Sequence, residues 1–158
     1  MTLISAAVSG GAQAGTLSTM TSGSADIVKS FKPYFDTIGS NTFYYGEEPG
    51  NSQVAKLVNN IILGTNMNAL VEGLKLANHY NLPQEEVLNL LQVSIGDRWV
   101  VRNWSDVSEW TADIALAVLL KDLKAAYNEG LKHNVTLPFN ALSSTQLFDS
   151  MGKEKPKA

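Results

Sequence analysis

The feature that most constrains the fold is a long stretch without helix breakers, from Ser52 to Tyr80. It contains no proline and only two glycines, Gly64 and Gly73. Apolar residues recur at helical spacing along it, and these are Val54, Leu57, Val58, Ile61 and Ile62. Leucines and a methionine further along fall on its other faces, and a helix that is apolar on most faces is usually buried. The sequence therefore predicts a long, buried central helix.

Three further helices are expected after this one. Pro83, followed by Glu85 and Glu86, is typical of a helix start, and that helix should run to about Ser94. A second helix should begin at Ser108 or Thr111, end near Lys132 and point six apolar residues inward, namely Ile114, Leu116, Val118, Leu119, Leu123 and Ala126. A third should span residues 138–151, and residues 152–158 form a polar tail.

The part before the central helix has a different sequence pattern. Short apolar runs that end at glycine or serine predict strands at residues 3–8, 15–21 and 41–45. A helix should start at Ser24 or Asp26 and run to about Tyr34, and it should be short or kinked because Pro33 does not suit a helix interior. The predicted fold class is therefore mostly α. A small α/β segment (1–50) precedes an all-helical domain (51–151) and the tail.

Composition excludes several classes of function. The net charge of −3 is spread along the chain, which does not favour nucleic acid or an anionic membrane surface as a partner. There is no cysteine, and neither His79 nor His133 has a partner at metal-ligand spacing, so no metal site is expected. The absence of a signal-like N-terminus and of a long apolar run favours a cytoplasmic protein without a membrane span.

Two groups of residues are candidates for chemistry. Val8-Ser9-Gly10-Gly11 ends a strand and can offer backbone N–H groups to an anion, although a plain glycine turn has the same sequence. Lys56 and Asn60 are four residues apart and share one helix face. A lysine beside apolar neighbours suits proton transfer, and the alternative is a solvated surface pair.

Other features are less specific. Lys121-Asp122 lies in a predicted helix, where an exposed charged pair is the alternative. Gly10 and Gly15 are spaced as in a phosphate-binding loop, but Thr16-Leu17 follows where Lys-Ser/Thr is required. No Gly-x-Gly-x-x-Gly segment occurs anywhere in the chain. The aromatic residues Trp99, Trp104 and Trp110 are typical of core or dimer contacts.

In combination these segments resemble the β-hydroxyacid dehydrogenase family, which includes 3-hydroxyisobutyrate dehydrogenase and tartronate semialdehyde reductase. Ala6-Ala-Val-Ser-Gly-Gly11, followed by Gly15-Thr-Leu17 and Met20, resembles its substrate-binding stretch. Residues 50–60, Gly-Asn-Ser-Gln-Val-Ala-Lys-Leu-Val-Asn-Asn, resemble its catalytic segment. Residues 118–123, Val-Leu-Leu-Lys-Asp-Leu, resemble its Leu-x-x-Lys-Asp-Leu segment.

The resemblance implies hydride transfer between NAD or NADP and a small 3-hydroxy acid. It implies that Ser9, Gly10 and Gly11 bind the substrate carboxylate and that Asn60 holds the substrate. Lys56 would be the general acid/base, Lys121 would lie near the cofactor, and Asp122 would help to fix its helix. In that family the helical domain makes the dimer contacts, and because the central helix of this chain is apolar on most faces, we expect a homodimer.

This sequence departs from the family pattern at several positions. Ser5 stands where the family has Asp, Ala7 where it has Pro, and Ser52 where it has Gly, and the loop after Gly11 is shorter. Because the glycine-rich nucleotide fingerprint is missing, we expect the C-terminal part of such an enzyme, inactive until a nucleotide-binding half, for example a separate Rossmann-domain chain, completes it. The alternative is a non-catalytic module for dimerisation or for binding a small acid.

Overall fold

The computed structural model describes residues 3–10 and 17–156. They form a three-stranded sheet with one helix, followed by six more helices, which confirms the predicted mostly α fold class. The chain divides into two compact units, Met1–Asn59 and Asn60–Ala158. The predicted domain limits at residues 50 and 151 stay a prediction.

The first unit is an α/β segment. Its elements are β1 (Ile4–Ser9), β2 (Ser18–Gly23), α1 (Ala25–Ile38), β3 (Asn41–Tyr44) and the start of α2 (Asn51–His79). The strand order is β1-β2-β3. β1 and β2 are antiparallel, with Ile4 opposite Gly23, whereas β2 and β3 are parallel, with Ser18 opposite Asn41. α1 makes the crossover connection that a parallel pair needs.

The central strand β2 is buried although most of its residues are polar. Met20 is its one large apolar residue, and Thr19, Thr21 and Ser22 are at most 1% exposed. Thr21 Oγ1 donates to the Phe43 carbonyl oxygen at 2.9 Å, which satisfies one of these buried hydroxyl groups. The strand was predicted at residues 15–21 and is observed at Ser18–Gly23. Residues 11–16 lie outside the described part of the chain.

Helix α1 corrects one prediction. The sequence predicts a helix to about Tyr34 that is short or kinked because of Pro33, whereas the helix continues through Pro33 to Ile38. Proline removes a single backbone hydrogen bond, and Pro33 lies on the exposed side of the helix. Val28 and Phe35, two turns apart, are buried on the opposite side, and this packing favours the helix beyond the proline.

The second unit consists of the rest of α2 and five further helices. They are α3 (Gln84–Gln92), α4 (Trp99–Arg102), α5 (Trp104–Val107), α6 (Ala117–Lys132) and α7 (Pro138–Met151). A π-helical turn, Ala112–Leu116, leads directly into α6. The helices predicted to end near Lys132 and to span residues 138–151 are confirmed, and Gly152 ends α7 in the left-handed conformation with a φ of 64°.

The core of the second unit is contributed by α2, the α4–α5 segment, the π-helical turn, α6 and α7. Its buried members are Met67, Leu70, Val100, Val101, Val107, Leu116, Leu119, Leu123, Leu147 and Phe148. Trp104 and Trp110 pack partly buried against this core, as the core interpretation of the tryptophans predicted. Trp99 is 54% exposed, and its ring centroid lies 6.3 Å from that of Trp110.

Two predictions about buried faces were wrong. Ile114 and Val118 are 64% and 52% exposed, although both were expected to point inward. On α2 the apolar residues Val54, Val58 and Ile62 are also exposed, so this helix is not buried all round. Both helices carry apolar residues on most faces, and periodicity alone does not indicate which face meets the core.

Helices α2 and α6 approach closely at Gly64. A Cβ atom placed on Gly64 would lie 2.9 Å from Cδ1 of Leu123, which is fully buried. A side chain at position 64 would therefore require Leu123 to move. Polar bonds to α7 add to the packing: Asn140 Nδ2 donates to the Leu123 carbonyl oxygen at 2.9 Å, and Asn68 Nδ2 donates to the Ser143 carbonyl oxygen at 3.3 Å.

Within residues 3–10 and 17–156, no helix is both long enough and apolar enough to cross a membrane.

Candidate active site

Ser9 is the last residue of β1, and its side chain accepts a hydrogen bond from helix α2. Asn59 Nδ2 donates to Ser9 Oγ at 3.1 Å. A hydroxyl group can donate one hydrogen bond while it accepts others, so this contact leaves the Ser9 proton for a different acceptor. Gly10 follows with a φ of 111°, which L side chains rarely adopt, and it turns the chain immediately after Ser9. Gly11, the third predicted carboxylate-binding residue, lies outside the described residues.

A group of serines fixes the first turn of α2. Ser52 is fully buried, and its backbone N–H donates to Ser22 Oγ at 3.1 Å. Ser22 Oγ in turn donates to the Pro49 carbonyl oxygen at 2.6 Å. The side chain of Ser22, on strand β2, therefore satisfies one of the N–H groups that a helix N-terminus leaves unpaired.

The same group contains two of the departures from the family pattern. Ser52 Oγ donates to Ser5 Oγ at 2.8 Å. Gln53 Nε2 also donates to Ser5 Oγ, at 3.1 Å. Ser5 thus faces two hydrogen-bond donors, an environment that also suits a carboxylate.

Lys56 lies on α2 in the first unit, one turn after Ser52, and is half-buried. The first unit therefore holds Ser9, Lys56 and Asn59. Of these, Ser9 and Lys56 were predicted as site residues, and Asn59 was not.

The second unit holds the other two predicted side chains, Asn60 and Lys121. Asn60 Nδ2 donates to Asp122 Oδ2 at 2.8 Å. Asp122 is only 5% exposed, and the exposed Lys121 places its Nζ 3.3 Å from Asp122 Oδ1. A carboxylate accepts hydrogen bonds and does not donate them, so the Asn60 amide must turn its nitrogen toward Asp122. Asp122, which lies on α6, therefore orients the amide group of Asn60.

Among the described residues, no three His, Cys, Asp or Glu side chains are grouped so that they could hold a metal ion. His79 and His133 are both exposed. The pair Lys132 and His133 lies beside Glu129, with a Lys132 Nζ–Glu129 Oε1 distance of 2.6 Å, and lowers the pKa of that carboxyl group below its ordinary value.

The second unit also has an open cleft of about 270 Å³ with an apolar wall of Val71, Leu74, Trp104 and Met151. Lys75 and Asn78 are among its polar lining residues. None of the residues predicted from the sequence motifs lines this cleft, so the candidate site is a different place on the chain.

Comparison with known proteins identifies the family. Residues 50–158 match the family model described as NAD-binding of NADP-dependent 3-hydroxyisobutyrate dehydrogenase. Residues 1–46 match the model for the NAD binding domain of 6-phosphogluconate dehydrogenase. Since the first match covers well over half of the chain, the chain belongs to the β-hydroxyacid dehydrogenase family, as the three sequence motifs predicted.

Curated relatives extend beyond dehydrogenases. The chain is 31% identical over 153 residues to 2-(hydroxymethyl)glutarate dehydrogenase of Eubacterium barkeri, covering 92% of this chain and 50% of that protein. It is 30% identical over 156 residues to 3-hydroxyisobutyrate dehydrogenase of Pseudomonas aeruginosa, covering 90% and 52%. It is also 33% identical over 138 residues to the cytokine-like nuclear factor N-PAC of Aedes aegypti, covering 84% and 24%. The chain thus spans about half the length of the first two relatives.

Solved structures share the fold. The chain superposes on 3-hydroxyisobutyrate dehydrogenase from Salmonella typhimurium with a TM-score of 0.82 at 23% identity, covering 94% of this chain and 54% of that chain. A Mycobacterium tuberculosis 3-hydroxyisobutyrate dehydrogenase with L-serine gives 0.80 at 22% identity, covering 91% and 54%.

The hydrogen-bond partners of the candidate site residues were not predicted from the sequence. Sequence reasoning did not identify Asn59 as the donor to Ser9, or Ser22 as the residue that satisfies the start of α2. The bond from Ser22 joins distant parts of the chain, which no local pattern indicates.

Proposed function

We propose that this chain supplies the substrate-binding and proton-transfer residues of an NAD(P)-dependent dehydrogenase acting on a small 3-hydroxy acid. The observation that carries the proposal is the bond from Asn59 Nδ2 to Ser9 Oγ, which leaves the Ser9 proton for an acceptor. A substrate carboxylate is such an acceptor, and hydrogen bonds to charged groups are the stronger ones. Membership of the family supports the same assignment.

Lys56 is the proposed general acid/base. In the oxidation direction its Nζ takes the proton of the substrate's 3-hydroxyl group while the hydrogen on the same carbon leaves as hydride, and in reduction it returns a proton to the oxygen. A nicotinamide held by another part of the enzyme would supply the hydride acceptor in oxidation and the hydride donor in reduction. Asn60, with its amide oriented by Asp122, is proposed to hold the substrate. Lys121 is proposed to lie near the cofactor.

The residues described here do not fit the pyrophosphate of a dinucleotide. Gly23 is the last residue of β2, just before α1, but a Cβ there would lie 2.5 Å from the Leu3 carbonyl oxygen, so the space is filled by the chain's own backbone. No Gly-x-Gly-x-x-Gly segment occurs in the sequence. We therefore propose that NAD or NADP is bound by a nucleotide-binding part other than these residues, such as a separate Rossmann-domain chain.

A second candidate function is assembly without catalysis, or the binding of a small acid. The exposed side chains of Val54, Val58 and Ile62 favour assembly, because they recur every four residues and so form an apolar stripe along α2. We propose that a second copy of the chain covers part of this stripe in a homodimer. Light scattering should give a dimer mass for the wild type and a lower mass for Val58→Lys. A wild-type monomer mass that does not change with concentration would contradict the dimer.

Calorimetric titration with 3-hydroxypropionate, the simplest 3-hydroxy acid, tests the substrate assignment. The wild type should bind it, and Ser9→Ala should bind it about 10- to 100-fold more weakly, as expected for the loss of a hydrogen bond to a charged group. Ser30→Ala, an exposed serine on α1, is the matched control and should bind like the wild type. Equal affinity of Ser9→Ala and wild type would exclude Ser9 as the carboxylate ligand.

A further inference from the structure

We propose that Asn59 is a positioning residue that makes Ser9 a dedicated hydrogen-bond donor. This inference rests on the proposed function of Ser9. Both residues belong to the first unit, and the Nδ2–Oγ distance is 3.1 Å. Asn59 lies on α2, a regular 29-residue helix, whereas Ser9 is the last residue of β1 before the left-handed Gly10. The bond therefore ties a side chain at a strand end to a long helix.

The direction of the hydrogen bond decides the role. An amide nitrogen donates and does not accept, so Ser9 Oγ is the acceptor in this contact. The one proton of the hydroxyl group must then point to another group, and hydrogen bonds in a chain strengthen one another. Ser9 is thus prepared to donate to a negatively charged oxygen. The neighbouring Asn60 does not share this role, because its Nδ2 donates to Asp122.

The proposed role of Asn59 predicts which of two variants binds the ligand more weakly. Asn59→Ala removes one donor and should weaken the binding of 3-hydroxypropionate by about 2- to 10-fold, the range for one net hydrogen bond. Asn59→Asp has almost the same shape, but its carboxylate would accept the Ser9 proton and repel the carboxylate of the ligand. Asn59→Asp should therefore bind more weakly than Asn59→Ala. A residue needed only for its shape would give the opposite order.

Two measurements on the 158-residue chain test the inference. The first needs no ligand: in NMR spectra, Ser9→Ala should shift the side-chain amide signals of Asn59, while the side-chain signals of Asn78, an exposed asparagine on the same helix, should not move. The second is calorimetry with 3-hydroxypropionate for Asn59→Ala, Asn59→Asp, the control Asn78→Ala, and Asn59→Ala combined with Ser9→Ala. In the Ser9→Ala background the Asn59→Ala change should have no further effect.

The outcomes separate this inference from the proposed function. If the Asn59 amide signals do not respond to Ser9→Ala, the positioning role is wrong whatever the ligand does. If the wild type binds, Ser9→Ala binds weakly and Asn59→Asp binds like the wild type, the role of Ser9 stands and that of Asn59 is refuted. If the amide signals respond but the wild type does not bind 3-hydroxypropionate, the proposed function fails, and Asn59 then positions no substrate-binding group.

Discussion

The close approach of α2 and α6 predicts that two substitutions will compensate each other. Gly64→Ala places a methyl group 2.9 Å from Leu123 Cδ1 and 3.2 Å from its Cδ2. Replacing glycine inside a helix gains about 1 kcal/mol of helix propensity, whereas overpacking a core costs about 1–3 kcal/mol. Because Leu123 is fully buried and has little room to move, Gly64→Ala should lower the free energy of unfolding by about 0–2 kcal/mol.

Shortening Leu123 should reverse the effect of Gly64→Ala on the free energy of unfolding. Leu123→Ala should cost about 3–5 kcal/mol, since it leaves a cavity in the core. In that background the methyl group of Gly64→Ala would enter the cavity, gaining about 0.8 kcal/mol from burial as well as the gain in propensity. The double variant should therefore be about 2 kcal/mol more stable than Leu123→Ala alone, so the sign of the Gly64→Ala effect reverses.

Urea unfolding followed by tryptophan fluorescence is the appropriate assay, because Trp99, Trp104 and Trp110 all report on the second unit. Gly73→Ala is the matched control: it lies on the same helix, and a Cβ there would meet no atom within 4 Å. Gly73→Ala should stabilise by about 0.5–1 kcal/mol, independently of Leu123. If Gly64→Ala stabilises the wild type as much as Gly73→Ala does, or if the double variant is additive, the proposed packing at Gly64 is refuted.

Three other substitutions test the remaining polar contacts. Thr19→Val should raise the free energy of unfolding by about 1 kcal/mol, because Thr19 Oγ1 is buried without a hydrogen-bond partner among the described residues; an unchanged urea midpoint would contradict this. Ser5→Asp should be tolerated, since Ser52 donates to this position, and thermal unfolding near the wild-type midpoint would support it whereas a large fall would not. Glu129→Gln should reduce the loss of stability on acidification: Lys132 lowers the pKa of Glu129, so its contribution is present above the unfolded pKa and is lost as the pH falls through the folded one. An identical acid-side decrease in thermal midpoint for the variant and wild type would rule this out.

The sequence predicted the elements better than the faces they bury. Pro138 and Gly152 mark the ends of α7 by their backbone chemistry alone, and the structure agrees. The exposure of Ile114 and Val118 was not predictable, because the apolar residues of this segment lie on most sides of the helix and only tertiary packing selects one. Pro33 favoured a short or kinked helix, yet α1 continues to Ile38, because burial of the face opposite the proline outweighs one lost hydrogen bond.

At the candidate site, too, some features could be predicted from the sequence and others could not. The motifs predicted the candidate side chains, since the chemistry proposed for them is carried by residue type and spacing. The groups that orient them were not visible, because the bonds from Asn59 to Ser9 and from Asn60 to Asp122 join residues 50 and 62 positions apart. Contacts at such separations depend on the tertiary fold and leave no local signature in one sequence.

The most direct test of the proposed function is hydride transfer with the nucleotide-binding half supplied. We would combine the chain with the nucleotide-binding half of the Pseudomonas aeruginosa 3-hydroxyisobutyrate dehydrogenase and follow the formation of NADH or NADPH from 3-hydroxypropionate. Lys56→Met should lower the rate by about 10²–10⁴-fold, the usual contribution of a general acid/base, while Lys75→Met, an exposed lysine on the same helix, should leave it unchanged. Undiminished turnover in Lys56→Met would contradict the proposed acid/base role and with it the dehydrogenase mechanism proposed for this chain.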